Sequence, residues 1–265
     1  MSGLPAFTEL GQGQGQGPVT VLLLHGIGGG QAIWRDMLPA LAAAGFRAAA
    51  MDFPGYGASP GTPTLDGMVA AVQAVVVALG ATRTVLLGHS MGGMVAQEVV
   101  ARAPAGATGV DGLILACTSA AFGRAEGDWQ ARFVAERLAP LDAGLGMPGM
   151  ARRLVPAMVS PAARPEASEL AIELMSRVPE ATYRVALRAI AAFDRREALS
   201  QIAVPALCLA GEHDRTAPPE LMQRMAQRIP GGEYRCLASA GHIANLEQPA
   251  AFHAAVISFL QHHFG

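Results

Sequence analysis

Short apolar runs and longer helical stretches take turns along this chain, and that alternation restricts the folds open to it more than any other feature. Runs rich in Val, Leu or Ile stand at 19–24, 47–52, 84–88, 111–116, 204–210 and 233–237. Each is too brief for a helix and apolar throughout, as a strand covered on both faces must be. Between most of them lie stretches of helical length, at about 32–44, 65–79, 91–103 and 218–229, with a last one at about 246–263. Strand and helix in succession predict an α/β fold, a doubly wound and mostly parallel sheet with helices on both faces.

The rhythm fails between Thr118 and about Gln201, where helix-length pieces are broken by Pro140, Pro148, Pro156, Pro161, Pro165 and Pro179 and no convincing strand stands. The expected organisation is a core of residues 1–117 and 201–265 with an inserted helical lid, residues 118–200. Within the insert, Met147, Met150, Met158 and Met175 fit either ordinary helix packing or a pliable wall for a substrate. "GQGQGQG" at 11–17 reads as a flexible turn between two early strands, with a glycine cradle for a ligand as the alternative.

Composition removes several function classes. A formal charge of −2 offers no basic field for nucleic acid or anionic lipid. All basic residues are arginine, which excludes a Schiff-base lysine, a phosphate-loop lysine and a serine–lysine dyad. Cys117, Cys208 and Cys236 lack the close spacing of a metal site and are expected to be reduced and buried. "MSGLPAFTEL" does not read as a signal peptide, and the apolar tract Met68 to Leu79 is interrupted by Gln73 and too short for a bilayer. A soluble, cytoplasmic protein with no membrane partner is the expectation.

Ligands of a doubly wound sheet bind beyond the carboxyl ends of its strands, so the turns that follow strands carry the chemistry. Four stand out: "HGIGGG" at 25–30, "GHSMGG" at 88–93, "GEHD" at 211–214 and "AGHIANLEQP" at 240–249. Gly88-His89-Ser90-Met91-Gly92 fits G-x-S-x-G at a strand-to-helix turn too tight for side chains at its two flanks, which lifts the Ser90 hydroxyl above the sheet at a helix N-terminus. The bland alternative is a helix-capping serine between packing glycines. A hydroxyl needs a base. Of the seven histidines, His253, His262 and His263 belong to the terminal helix, His25 and His89 suit packing or support, and His213 lies beside an acid. His242, between Gly241 and a helix start, is the candidate base.

A buried carboxylate must orient that base. Asp214 is preferred and Glu212 is the competitor, since Glu212 directly abuts its strand. An oxyanion needs two preset donors. The Met91 N–H is one and the Ile27 N–H the other, unless the glycine loop merely turns the chain.

With Ser90, Asp214 and His242 in that chain order, the sequence resembles the α/β-hydrolase superfamily. "HGIGGG…W", "MDFPGYGAS", "LLGHSMGGMVA", "GEHDRTAPP" and "AGHIANLEQPAAF" fall in the expected succession over almost the whole chain. Within the superfamily it is similar to the 3-oxoadipate enol-lactonase group through "DWQARF", "YRVALRAIAAFDRREALSQIAVPAL" and "GHIANLEQPAAF". His89 gives the "GHSMGG" form shared by many esterases and cofactor-free perhydrolases, and "MDFPGYGAS" resembles carbon–carbon hydrolases of ring-fission products. The resemblance implies a serine hydrolase of a small ester or lactone, with those two chemistries as alternatives, and calls for no metal and no organic cofactor. For an anionic lactone the pocket would want a cation; Arg132, one helical turn after Trp129, is the candidate, against a solvated helix-face arginine. The rival from another class is a dinucleotide-binding oxidoreductase, with "TVLLLHGIGGG" as its glycine loop and Asp52 meeting a ribose, although Gln31 stands in place of the third glycine.

Overall fold

In the computed structural model, which describes residues 3–12, 19–102, 109–123 and 128–265, the apolar runs pair into a single sheet. Its strands are β1 (Phe7–Leu10), β2 (Val19–Leu24), β3 (Arg47–Met51), β4 (Arg83–His89), β5 (Gly112–Ala116), β6 (Ala206–Gly211) and β7 (Glu233–Leu237), in the spatial order β1-β3-β2-β4-β5-β6-β7. Only β1 runs antiparallel, against β3. Every residue of β2, β5 and β6 is buried, which is why those runs carry no polar alternation. Burying side chains such as Leu22, Leu23 and Leu24 contributes roughly 1.5–3 kcal/mol each.

The strand order reverses at β2, which has β3 on one side and β4 on the other. Register sets Leu24 opposite Gly88 and His89 opposite Ala116, so β2, β4 and β5 end near one level. Loops leaving adjacent strands on either side of such a switch point diverge and open a crevice. The turns after Leu24 and after His89 border it.

Helices α1 (Met37–Ala43), α2 (Leu65–Leu79) and α3 (Met91–Arg102) accompany the first half of the sheet. The helix expected over 32–44 is two pieces, a 3-10 turn at Gln31–Trp34 and then α1. Pro39 has no N–H to give to residue 35, so an α-helix restarts just upstream of it. α2 is capped by Thr64, whose hydroxyl accepts the Gly67 N–H at 3.0 Å, and ends at Gly80 with φ 57°.

Between β5 and β6 lie α4 (Trp129–Asp142), α5 (Gly146–Met158), α6 (Pro165–Ser176) and α7 (Glu180–Ala191). Pro165 opens α6 and Pro179 caps α7, but Pro140 and Pro156, expected as breaks, lie inside the last turns of α4 and α5. Each removes one intrahelical N–H donor, with only two residues of helix left to follow it. A bridge between Ala121 and Asp194, with Arg195 N–H donating to the Ala120 carbonyl at 2.7 Å, draws the two ends of this segment together. The chain closes with α8 (Pro219–Arg228), α9 (Ala244–Glu247) and α10 (Pro249–Phe264). No described helix is long and apolar enough to cross a membrane.

Residues 13–17 of the Gly-Gln stretch lie outside the described residues; the strand before it, β1, pairs with β3 rather than β2. Cys117 and Cys208 are buried as expected, whereas Cys236 is exposed. It stands on β7, the last strand in the sheet order, where only Leu237 is buried.

Candidate active site

β4 ends at His89 and α3 begins at Met91, leaving Ser90 alone to make the turn, with φ at 53°. A non-glycine residue held there stores about 1–3 kcal/mol. A Cβ on Gly88 would collide with the backbone of Gly92 and Gly93, and one on Gly92 with the carbonyl of Leu24 that ends β2. The strained turn is fastened on both sides. Ser90 N–H donates to the Ala116 carbonyl at 3.0 Å, and the Ser90 carbonyl accepts from Gly93 N–H at 2.9 Å and from the Thr118 hydroxyl at 2.7 Å.

Three side chains from three separate turns meet here. His242 Nε2 lies 3.0 Å from Ser90 Oγ, and His242 Nδ1 lies 2.8 Å from Asp214 Oδ2. The other Asp214 oxygen accepts the N–H groups of Thr216 at 2.8 Å and Ala217 at 2.9 Å. Burial pushes the Asp214 carboxyl up, but the His242 charge, its hydrogen bond and the two N–H groups outweigh that and hold it below its ordinary value. An ionised carboxylate only accepts, so the Nδ1 proton faces it and Nε2 keeps a lone pair for the serine hydroxyl. Glu212 is exposed and turned away, accepting the Ser239 N–H at 2.8 Å.

His25 and His89 brace the site. His25 Nδ1–H donates to the Gly26 carbonyl at 2.8 Å while Nε2 accepts the Phe53 N–H at 3.0 Å. His89 Nε2–H donates to the His242 carbonyl at 2.7 Å. Burial, and then the neighbouring His242 charge, pull the His89 imidazole down to about 3, so it stays neutral. The 25–30 loop lies against the serine turn, since a Cβ on Gly26 would stand 3.0 Å from His89 Nδ1 and 3.3 Å from Ser90 Cβ. Tyr56 OH donates to the Ile27 carbonyl at 3.0 Å. Among the described residues, neither the Ile27 nor the Met91 N–H meets an acceptor.

A cavity of about 400 Å³ rises above Ser90 and His242, walled by aromatic and aliphatic side chains of α4 to α7. Trp129 lines it, as do Met158 and Met175, whereas Met147 and Met150 are buried in the core. Arg132, expected at the cavity, is not there; it is exposed and pairs with Asp128 at 3.2 Å. Trp129, Phe133 and Arg137, at steps of four, form the facing stripe of α4, and Arg132 falls about 100° from the middle of it. Half-buried Arg137 is the missed residue, its guanidinium 5.2 Å from the Phe133 ring centre and without a carboxylate partner among the described residues. The same spacing of four, applied from Trp129, would have found it.

Asp52 is not free for a ribose. Its two oxygens accept the Gln31 N–H at 2.7 Å and the Gln31 side-chain amide at 2.8 Å, which pins the loop after β2. Among the described residues no group of three or more His, Cys, Asp or Glu side chains is arranged to hold a metal ion.

The chain is 30% identical over 256 residues to the pimeloyl-[acyl-carrier protein] methyl ester esterase of Vibrio parahaemolyticus, covering 94% of this chain and 97% of that one. Its structure superposes on the enol-lactonase of Burkholderia xenovorans with a TM-score of 0.85 at 26% identity, over 97% of this chain and 96% of the other. A thermophilic esterase from Thermogutta terrifontis gives 0.85 at 28% identity, over 98% and 94%. Residues 21–255 match the alpha/beta hydrolase family, and with that match spanning most of its length the chain belongs to that family.

Proposed function

We propose that this chain is a serine hydrolase that cleaves a small carboxylic ester or lactone through an acyl-enzyme on Ser90. The observation that carries the reading is the line of hydrogen bonds from Ser90 Oγ through His242 to Asp214, at 3.0 and 2.8 Å. Ester cleavage is what the names of the relatives share, a lactone being a cyclic ester. Ser90 Oγ attacks the carbonyl carbon as His242 Nε2 takes its proton, and Asp214 stabilises the imidazolium. The developing oxyanion is held by the Ile27 and Met91 N–H groups, both without another acceptor among the described residues. His242 returns the proton to the leaving alkoxide; a water molecule, deprotonated by the same imidazole, then releases the acid and frees the serine.

The helices between β5 and β6 act as the lid of this site, supplying the apolar wall for the substrate's acyl or alcohol part. Arg137 supplies a cation for a substrate that carries a carboxylate, the role first expected of Arg132. The three free thiols support a reducing, cytoplasmic setting. The test is Ser90→Ala against a panel of p-nitrophenyl esters and lactones, with fluorophosphonate labelling of both proteins. Wild type is expected to label and turn over, and the variant to do neither, with kcat down on the order of 10⁴-fold or more. A variant that still turns over esters at the wild-type rate would overturn the reading.

A further inference from the structure

The glutamate of "GHIANLEQP" has no part in the chemistry above, yet it is buried at 2% exposure and bonded more fully than any surface role requires. We infer that Glu247 is a positioning residue, a clamp that fixes the loop of His242 to the exit of α5; the inference rests on the reading of His242 as the base. Its Oε1 accepts the Ile243 N–H at 3.0 Å, and its Oε2 accepts the Gly241 N–H at 2.9 Å and the Ser160 N–H at 2.7 Å. Gly241 and Ile243 flank His242, so one carboxylate grips the chain on both sides of the imidazole. Ser160 belongs to the segment just after α5.

That junction is tied again by other atoms. His242 N–H donates to the Met158 carbonyl at 2.7 Å, and Ser160 Oγ donates to the Ser239 carbonyl at 2.8 Å. Gly241 packs so closely there that a Cβ would stand 2.6 Å from Met158 O and 2.7 Å from Ser160 N. Met158 also walls the cavity above Ser90. The wall of the substrate cavity and the loop of the base are therefore one hydrogen-bonded body, with Glu247 as its shared acceptor.

Among the described residues no cation pairs with Glu247, and a buried carboxylate is tolerated without one only when N–H donors fill its lone pairs. Glutamine has the same shape but turns one acceptor into a donor, which then faces an N–H it cannot bond. The loop must shift to relieve this, carrying His242 Nε2 off its 3.0 Å line to Ser90. Displacements near 1 Å at a reacting group lower rates by roughly 10²-fold.

The experiment compares Glu247→Gln and Glu247→Asp with wild type on p-nitrophenyl acetate and butyrate, at a temperature where circular dichroism shows each protein folded. The aspartate variant keeps the charge but is one methylene too short to reach all three donors. For both, kcat is expected to fall about 10- to 100-fold with KM within about twofold, since neither variant replaces a side chain that lines the cavity. A purely structural carboxylate would lower Tm and leave kcat of the folded enzyme intact, and that result in either variant would overturn the inference. His242→Ala run alongside separates the two failures. If it is as active as wild type, the reading of the site is wrong; if it is inactive while Glu247→Gln is unimpaired, only the role of Glu247 falls.

Discussion

Asp214→Asn is a sharp perturbation because the structure dictates how the new side chain must sit. Asp214 Oδ1 accepts two main-chain N–H groups, from Thr216 at 2.8 Å and Ala217 at 2.9 Å, while Oδ2 faces His242 Nδ1 at 2.8 Å. In the asparagine the carbonyl oxygen must take the Oδ1 position, since an NH₂ there would oppose two donors. The NH₂ is then turned toward His242 and donates to Nδ1. The imidazole proton moves to Nε2, which points at Ser90 Oγ and can no longer accept its proton. Every hydrogen bond is kept, so the fold should survive with little change in Tm, yet the base holds the wrong tautomer. A wrong tautomer in this chemistry lowers kcat by about 10⁴-fold, or about 5.4 kcal/mol of barrier. The assay is p-nitrophenyl acetate hydrolysis near neutral pH, with circular dichroism to certify the fold, and Glu212→Gln as the control, expected close to wild type because Glu212 is bonded to Ser239 instead. A loss under about tenfold in folded Asp214→Asn, or a larger loss in Glu212→Gln, would refute the reasoning.

Other outcomes follow from the same geometry. Arg137→Ala should raise KM about tenfold for an ester bearing a carboxylate and leave a neutral ester unaffected, whereas Arg132→Ala should change neither; steady-state kinetics on the paired substrates decide it. Gly92→Ala should abolish soluble, active protein, because its methyl would meet the Leu24 carbonyl at the end of a buried strand; expression and thermal melts read this directly. Acid stability should depend on His89. The unfolded imidazole takes up a proton near its ordinary 6.5 and the folded one only near about 3, so between those values the unfolded chain binds more protons and stability falls as pH is lowered. Tm measured from pH 7 to pH 4 should therefore drop more steeply in wild type than in His89→Gln. Asp214 adds its own loss at still lower pH, as the depressed carboxyl finally protonates.

Much of this protein is legible in its text. The order of strands and helices shows because a buried parallel strand is a short run apolar along its whole length, while the helices between are longer and carry polar residues among the apolar ones. The serine turn shows as well, because Gly88, Ser90 and Gly92 answer a local demand, a strand passing into a helix with one residue between them and no room for a Cβ on either flank. Such constraints act within a few residues of the chain, where the sequence is itself the geometry.

Side-chain direction and long-range pairing were decided elsewhere. Arg132 and Arg137 are told apart by their spacing from Trp129 only once the packing of α4 has turned Trp129 toward the cavity. Two acids follow β6, and the sequence favours Asp214 because Glu212 abuts the strand; the fold of their loop is what aims Asp214 at His242 and Glu212 at Ser239. Pro140 and Pro156 look like helix ends and are not. Glu247 reaches Ser160, 87 residues away, and no periodicity announces that contact. The chain by itself determined the layered sheet and the strained serine, because backbone sterics are local; which charges face the cavity, and what steadies the histidine, came only with tertiary structure, because those depend on segments far apart in sequence being packed into one place.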